Sequence, residues 1–168
     1  MANKKGGLKM ENDCNCPILD KRDWDLKKHD WDQRAFYRTK HFLFLHMPIG
    51  ISKAIKKGMD RIEENGYRVK PPYMMLDDET GFFSANMLIA IEEIPENDPD
   101  VEVWGPTALY SKYYHGPFKG LKKEITELID FVENKERKKP VRIYSWVTNC
   151  PKCWEKQGGP TTIMFARV

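Results

Sequence analysis

The chain has 168 residues, of which 40% are hydrophobic and 32% charged, as is usual for one globular domain with a full core. Its net charge of +3 is too small to indicate nucleic-acid binding, so we expect no direct nucleic-acid partner. No apolar stretch approaches the length that crosses a bilayer, and residues 1–13 lack the apolar core of a secretory signal. These features predict a cytoplasmic protein without a membrane partner.

The first 33 residues are polar and hold few side chains that could be buried. Residues 1–13 predict a flexible tail. Residues 14–33 contain two Asp-Trp-Asp triplets, and the seven-residue spacing of Trp24 and Trp31 predicts that both rings lie on one side of a helix. We therefore expect residues 14–33 to form an irregular or partly helical arm whose indole rings dock on the domain.

A first structural unit is predicted over residues 35–94. Residues 35–46 are rich in aromatic and aliphatic side chains and predict a strand. Pro48 suits the first turn of a helix, and apolar residues follow at helical spacing, namely Ile51, Ile55, Met59 and Ile62. A strand over 71–76, a turn over 77–81 and a buried strand over 85–91 complete the unit.

Residues 101–168 repeat this order after a loop at 94–100. His115-Gly116-Pro117 stands where the first unit has His46-Met47-Pro48. A strand over 107–114, a helix from Pro117, a strand over 141–148, a loop over 149–159 and a strand over 161–168 are predicted. Two helices on mainly antiparallel hairpins make an α+β domain, 14–168, built by tandem strand–helix–strand–strand duplication. The two half-covered sheets must bury their apolar faces together, so we expect a ligand groove at the seam.

The cysteines occur as two close pairs, Cys14-x-Cys16 and Cys150-x-x-Cys153. Four thiolates in this pattern match the ligand set of a tetrahedral structural zinc ion, which would fasten the arm to the last loop. Redox chemistry and four unrelated thiols are the alternatives. A redox pair normally lies where a strand enters a helix, whereas this motif lies between two predicted strands. We expect no organic cofactor, since the chain has no phosphate-binding glycine loop.

Aromatic residues on or next to the predicted strands are candidates for the walls of a ligand groove. Two carboxylates, Glu92 and Glu102, could act there as a general acid or base if burial raised their pKa. Each residue also has a plain structural interpretation, as a core ring or a solvated charge. The candidate ring residues are Tyr37, Phe44, Trp104, Tyr110, Tyr113, Tyr144 and Trp146.

The segment Tyr113-Tyr114-His115-Gly116-Pro117-Phe118-Lys119-Gly120-Leu121 resembles the strand-to-helix signature of GyrI-like proteins. These are related to the effector-binding domains of AraC-type and multidrug-responsive transcription activators. The resemblance covers residues 35–168 and implies pseudo-twofold symmetry with a small molecule bound between the halves. It also implies hydrolysis of reactive small molecules in some stand-alone members.

Two further features refine this resemblance. Thr162 stands where many ligand-binding relatives carry a glutamate, so the usual cation anchor is missing. The Cys-x-Cys arm, Asp-Trp-Asp and the C-terminal Cys-Pro-x-Cys resemble a stand-alone subgroup of the family.

Three functions are therefore considered. We expect foremost a stand-alone protein that senses or sequesters a small, largely apolar or aromatic molecule. The second hypothesis is a small-molecule hydrolase in which Glu92 or Glu102 activates water with a nearby tyrosine, for which Tyr113 is a candidate. The third is a module that binds a protein partner.

Overall fold

The computed structural model describes residues 16–44, 47–81 and 83–168. Its elements in chain order are α1 (Lys21–Trp24), β1 (Lys27–Trp31), β2 (Arg34–Phe44), β3 (Met47–Ile49), α2 (Ile51–Glu64), β4 (Met75–Glu79), β5 (Ser84–Ile91), β6 (Val101–Trp104), β7 (Thr107–His115), a short 3-10 turn (Phe118–Gly120), α3 (Leu121–Glu136), β8 (Arg142–Val147), α4 (Pro151–Gln157) and β9 (Thr161–Arg167). No helix in these ranges is long and apolar enough to cross a membrane.

The strands form one antiparallel sheet in the order β1-β7-β9-β8-β4-β5-β2-β3, with β6 also paired to β2. Its six central strands form two equivalent halves, β7-β9-β8 and β4-β5-β2. Each half carries one long helix, α3 on the second repeat and α2 on the first. The predicted α+β duplication with pseudo-twofold symmetry is thus confirmed, and the axis passes between β4 and β8.

The arm differs from its prediction. Trp24 ends the four-residue helix α1, whereas Trp31 lies in β1, which pairs with β7 from Lys27↔Ser111 to Trp31↔Thr107. The expected common helix is therefore wrong. Both rings nevertheless pack into one apolar cluster, because the turn at Leu26 (φ 53) redirects the chain between them.

Several element boundaries also differ from the predictions. Pro48 lies in β3 and not in a helix, because Gly50 (φ 72) turns the chain before α2 begins. The acidic residues 77–79 continue β4, since their backbone pairs with β5. Residues 101–104 form the unpredicted strand β6. The supposed loop 149–159 contains α4, so the described part of the chain has two short helices beyond the two predicted.

The two faces of the sheet bury different clusters. The helix face, covered by α2 and α3, buries Tyr37 with β5 side chains in one half and Tyr110 with β9 side chains in the other. We call the opposite side the arm face, because Leu19, Trp24 and Trp31 cover it. Its buried cluster contains Phe36, Leu76, Leu88, Trp104, Tyr144, Trp146, Ile163 and Phe165.

A buried histidine–carboxylate pair lies on the helix face near the seam between the repeats. His41 Nε2 is 3.3 Å from Asp77 Oδ1 without the alignment of a hydrogen bond, and neither ring nitrogen has a hydrogen-bond partner among the described residues. Burial raises the pKa of Asp77 to about 7, with further contributions from Glu79 and Asp78. Burial lowers the pKa of His41. Both side chains therefore favour their neutral forms.

We expect the substitution Asp77→Asn to remove a pH dependence of stability. A carboxyl whose pKa is raised by folding stabilises the protein at low pH, and this contribution is lost as the pH rises through about 7. From pH 5 to pH 8, the free energy of unfolding of the variant should therefore gain about 2–3 kcal/mol relative to the unsubstituted protein. Urea unfolding at both pH values measures this, with the exposed Asp60→Asn as control. Equal pH dependence in all three proteins would contradict the assignment.

Candidate functional site

Polar side chains from both repeats meet on the arm face, beside the buried rings. We call this group the seam cluster. It draws on β4 of the first repeat, on β6, which follows that repeat, and on β8 and β9 of the second. Its members are Asp78, Glu102, Trp104, Arg142, Tyr144 and Arg167.

Glu102 is held at the edge of the aromatic cluster. Its Oε1 accepts a hydrogen bond of 2.7 Å from the indole Nε1 of Trp104. β6 brings the two side chains together because residues two apart in a strand point to the same face. Trp104 is only 2% exposed, whereas Glu102 is half-buried. The carboxylate is therefore fixed by a rigid ring while it still reaches solvent.

Asp78 lies across the seam from Arg142. The Arg142 Nε is 3.1 Å from Asp78 Oδ1, although Oδ1 has no aligned hydrogen bond within the part of the chain that the structure describes. Burial raises the pKa of Asp78, and the charge of Arg142 and a hydrogen bond from Asn86 oppose this shift. An acid from β4 and a guanidinium from β8 therefore link the repeats through a partly buried ion pair.

Tyr144 packs against Trp104 within the seam cluster. Its ring lies 5.1 Å from that of Trp104, and burial raises the pKa of its phenol while a hydrogen bond with Arg167 lowers it. The charges of Asp78 and Glu102 both raise the same pKa. Arg167 also lies over the Trp104 ring, with its Cζ 5.0 Å from the ring centroid.

This arrangement combines an acceptor, two guanidinium groups and a flat aromatic surface. Its partly exposed charged groups could hold the polar end of a ligand, while the rings beneath them, Trp104 and Tyr144, are only 2% and 4% exposed. A half-buried carboxylate can also accept a proton from water, and a guanidinium can stabilise negative charge that develops in a reaction. Binding and hydrolysis are thus both chemically possible at the seam cluster.

The predicted ring residues do not lie on one side of the sheet. Trp104, Tyr144 and Trp146 are buried in the arm-face cluster, and Tyr113 packs against it. Tyr37 and Tyr110 lie in the helix-face clusters, and the Phe44 side chain lies outside the described part. The groove was expected on the arm face. There the rings pack against one another, the arm covers them, and together they largely fill that space.

The predicted acids lie in different surroundings. Glu102 belongs to the seam cluster, whereas Glu92 forms a surface ion pair of 3.0 Å with Arg68. Tyr113 lies on the arm face of β7 and has no contact with either acid among those described. The tyrosine near Glu102 is Tyr144.

Asp78, Arg142 and Arg167 are site residues that the sequence pattern does not single out. Asp78 falls in the predicted turn 77–81. The available signal was its position two residues after the buried Leu76, which places both side chains on one face of a strand. Thr162, at the position of the family's glutamate, is fully buried and its hydroxyl lacks a partner among the described residues.

Three of the cysteines converge at the end of the arm. The Sγ atoms of Cys16, Cys150 and Cys153 all lie within 4.8 Å of one another, and Cys14 lies outside the described residues. The backbone N–H of Cys150 donates to Cys16 Sγ at 3.3 Å. Cys150 caps the N-terminus of α4, so the motif does lie where a strand leads into a helix, contrary to the sequence expectation. The three cysteines could hold a metal ion.

The fold is similar to that of two solved structures at low sequence identity. The crystal structure of the EcmrR C-terminal domain aligns with a TM-score of 0.62 and 14% identity, covering 86% of this chain and 98% of that one. The cryo-EM structure of an EcmrR–DNA complex aligns with a TM-score of 0.59 and 14% identity, covering 86% of this chain and 57% of that one. A fold of the kind expected for GyrI-like domains is therefore supported.

A search among curated proteins gives no match. The model of a family described as bacterial hydrolase matches residues 8–168, which include the arm, both repeats and all four cysteines. The chain therefore belongs to this bacterial hydrolase family.

Proposed function

We propose that this protein binds a small, largely apolar or aromatic molecule at the seam cluster, between its two repeats. The observation that carries the proposal is the position of Glu102, Tyr144 and Arg167 around the Trp104 ring. These groups come from both sides of the pseudo-twofold axis, and the partly exposed Glu102 and Arg167 offer polar contacts above the buried rings. The proposal fits the resemblance to GyrI-like proteins and includes sensing or sequestration as its biological role.

Hydrolysis of the bound molecule is the second candidate function. Membership of a family described as bacterial hydrolase and the half-buried Glu102 carboxylate favour it. In this hypothesis Glu102 accepts a proton from water as the water attacks an electrophilic centre. Arg142 or Arg167 then stabilises the negative charge that forms on the leaving oxygen. Glu92, the other candidate, is less well placed for this role, because it pairs with Arg68 at the surface.

Ligand binding at the seam cluster should change the environment of the Trp104 indole more than that of the Trp154 indole. We expect planar aromatic compounds to shift the NMR signal of the Trp104 Nε1–H, which bonds Glu102, in a saturable manner. The Trp154 Nε1–H is the internal control, because it donates to the Asn149 carbonyl near α4 at 2.9 Å. The indole signals are assigned from two-dimensional spectra, in which the variant Trp154→Phe lacks the Trp154 signal. A compound panel that shifts only Trp154, or neither indole, would contradict this site.

Hydrolysis is tested with a matched pair of acids. Glu102→Gln keeps an oxygen that can accept the Trp104 bond but removes the base, so turnover of aromatic esters or epoxides should fall by about 10²-fold or more. Binding, measured by thermal shift, should remain. Glu92→Gln makes the same chemical change away from the cluster and should leave turnover unaltered. Equal turnover in both variants would remove Glu102 as a base and leave ligand binding as the function.

We also infer a structural zinc ion between the arm and α4. A zinc–sulfur distance of about 2.3 Å spaces tetrahedral sulfurs about 3.8 Å apart, which is compatible with the separation of up to 4.8 Å. The N–H bond to Cys16 Sγ would stabilise a thiolate. Cys14 is the proposed fourth ligand. A redox dithiol requires only two sulfurs, so the third nearby sulfur favours a metal.

Elemental analysis of the purified protein should give about one zinc per chain, and under half an equivalent would reject the site. Chelation should speed hydrogen exchange over residues 16–26, because the metal would fix the start of the arm. Residues 27–31 should stay protected, since β1 is paired with β7. Added zinc should restore protection in the native protein but not in Cys150→Ser.

A further inference from the structure

A cavity of about 890 Å³ opens beside β2, between α2 and the loop that precedes β6. It is separate from the seam cluster, none of whose members lines it. Its volume is within the range of small-molecule sites. The residues that decide its chemistry are Tyr37, Arg38, Lys40, Lys57, Arg61 and Tyr67 on one side, with Asp98 and Asp100 on the loop.

The cavity lies at a gap in the pairing of β2. β6 pairs with residues 34–37 of β2, and β3 pairs with residues 42–44. The Arg38 N–H donates to the Asp100 carbonyl at 2.8 Å, which ends the β6 side of the gap. In the described part of the chain, no strand pairs with residues 39–41 along this edge. The gap gives the cavity a floor that includes main-chain polar groups.

Four cations line this cavity, and within the described residues only Arg61 has a counter-ion. Lys57 and Arg61 are four residues apart on α2 and so lie on the same face, while Arg38 and Lys40 come from β2. Arg38 donates to the Pro99 carbonyl at 3.0 Å, and Arg61 pairs with Glu64 at 3.2 Å. Neither the Lys40 nor the Lys57 ammonium makes an ion pair with any residue that the structure describes.

The two acids of the cavity are already hydrogen-bonded within the loop wall. Asp98 accepts from the Tyr67 hydroxyl at 2.9 Å and from the Asp100 N–H at 2.9 Å. Asp100 lies 3.4 Å from the Tyr37 hydroxyl. These bonds fix the positions of both carboxylates, and neither carboxylate makes an ion pair with Lys40 or Lys57.

The second repeat shows how the same fold neutralises a lysine. Lys112 on β7 is buried beneath α3, where Glu124 and Glu127 lie 3.3 and 3.0 Å from its ammonium. In the first repeat, α2 instead contributes Lys57 and Arg61 to the lining of the cavity. The cavity therefore has an excess of positive charge, four cations against two acids.

We propose that this cavity binds a small molecule that carries a phosphate group. A phosphate offers several acceptor oxygens and up to two negative charges, which suits a cavity lined by cations from both β2 and α2. The Tyr37 and Tyr67 rings and the loop leave room for an organic part next to it. This site goes beyond the seam cluster and does not depend on its function.

The test is a calorimetric titration with inorganic pyrophosphate at constant ionic strength. We expect one saturable site in the native protein, and at least tenfold weaker binding in the double variant Lys40→Gln/Lys57→Gln. The control double variant Lys119→Gln/Lys122→Gln removes the same charge from the surface of the second repeat and should bind as the native protein does. All four lysines are exposed, so folding should be retained, which circular dichroism checks.

The proposal is overturned if pyrophosphate shows no saturable binding. It is also overturned if both double variants lose affinity equally, since that would indicate attraction to net charge alone.

Discussion

On the face of the sheet away from α2 and α3, rings from both repeats and from the arm pack against one another. Trp31 lies 6.0 Å from Trp104, and Trp104 lies 5.1 Å from Tyr144. Trp24 lies 5.8 Å from Trp146. Each fully buried large side chain contributes roughly 1.5–3 kcal/mol to stability. This cluster therefore holds the two repeats and the arm together, although the backbones of the two repeats pair only briefly across the seam. β4 and β8 share a single paired position, Asp77↔Ser145.

The same packing explains why the polar groups of the seam cluster are well positioned. Trp104 is fixed by its aromatic neighbours and in turn fixes the Glu102 carboxylate. Side chains held by packed neighbours lose little further freedom when a ligand binds. A ligand at this seam would therefore meet a small number of oriented charges, held in place by the buried rings beneath them.

Much of the fold was predictable because the spacing of apolar residues along the chain shows the repeat. The apolar spacing of α2 and the continuous run of β5 indicated their elements directly. The arm was less predictable, because β1 is stabilised by pairing with β7, which follows it by about 80 residues, rather than by its own composition. The short helix α4 had local signals, Pro151 at its start and Gly158 at its end, but it lay between two predicted strands and was interpreted as a loop.

The candidate site was predictable only in part, for a similar reason. Glu102 and the strand aromatics could be identified by residue type and position. Their grouping could not, since it depends on which face each strand presents and on the order of strands in the sheet. Arg142, next to Asp78 across the seam, is an ordinary surface arginine in the sequence. Only the pairing of β8 with β4 gives it a partner.

The arm also affects the order in which the domain can be completed during synthesis. Cys16 and Cys150, whose contact marks the outer end of the arm, are 134 residues apart in the chain. Trp24 likewise rests on Trp146 and Phe165. Residues made early on the ribosome thus have no native surface to cover until the last strands have emerged. Contacts between such distant segments slow folding, and the exposed tryptophans of the waiting arm are natural targets for chaperones.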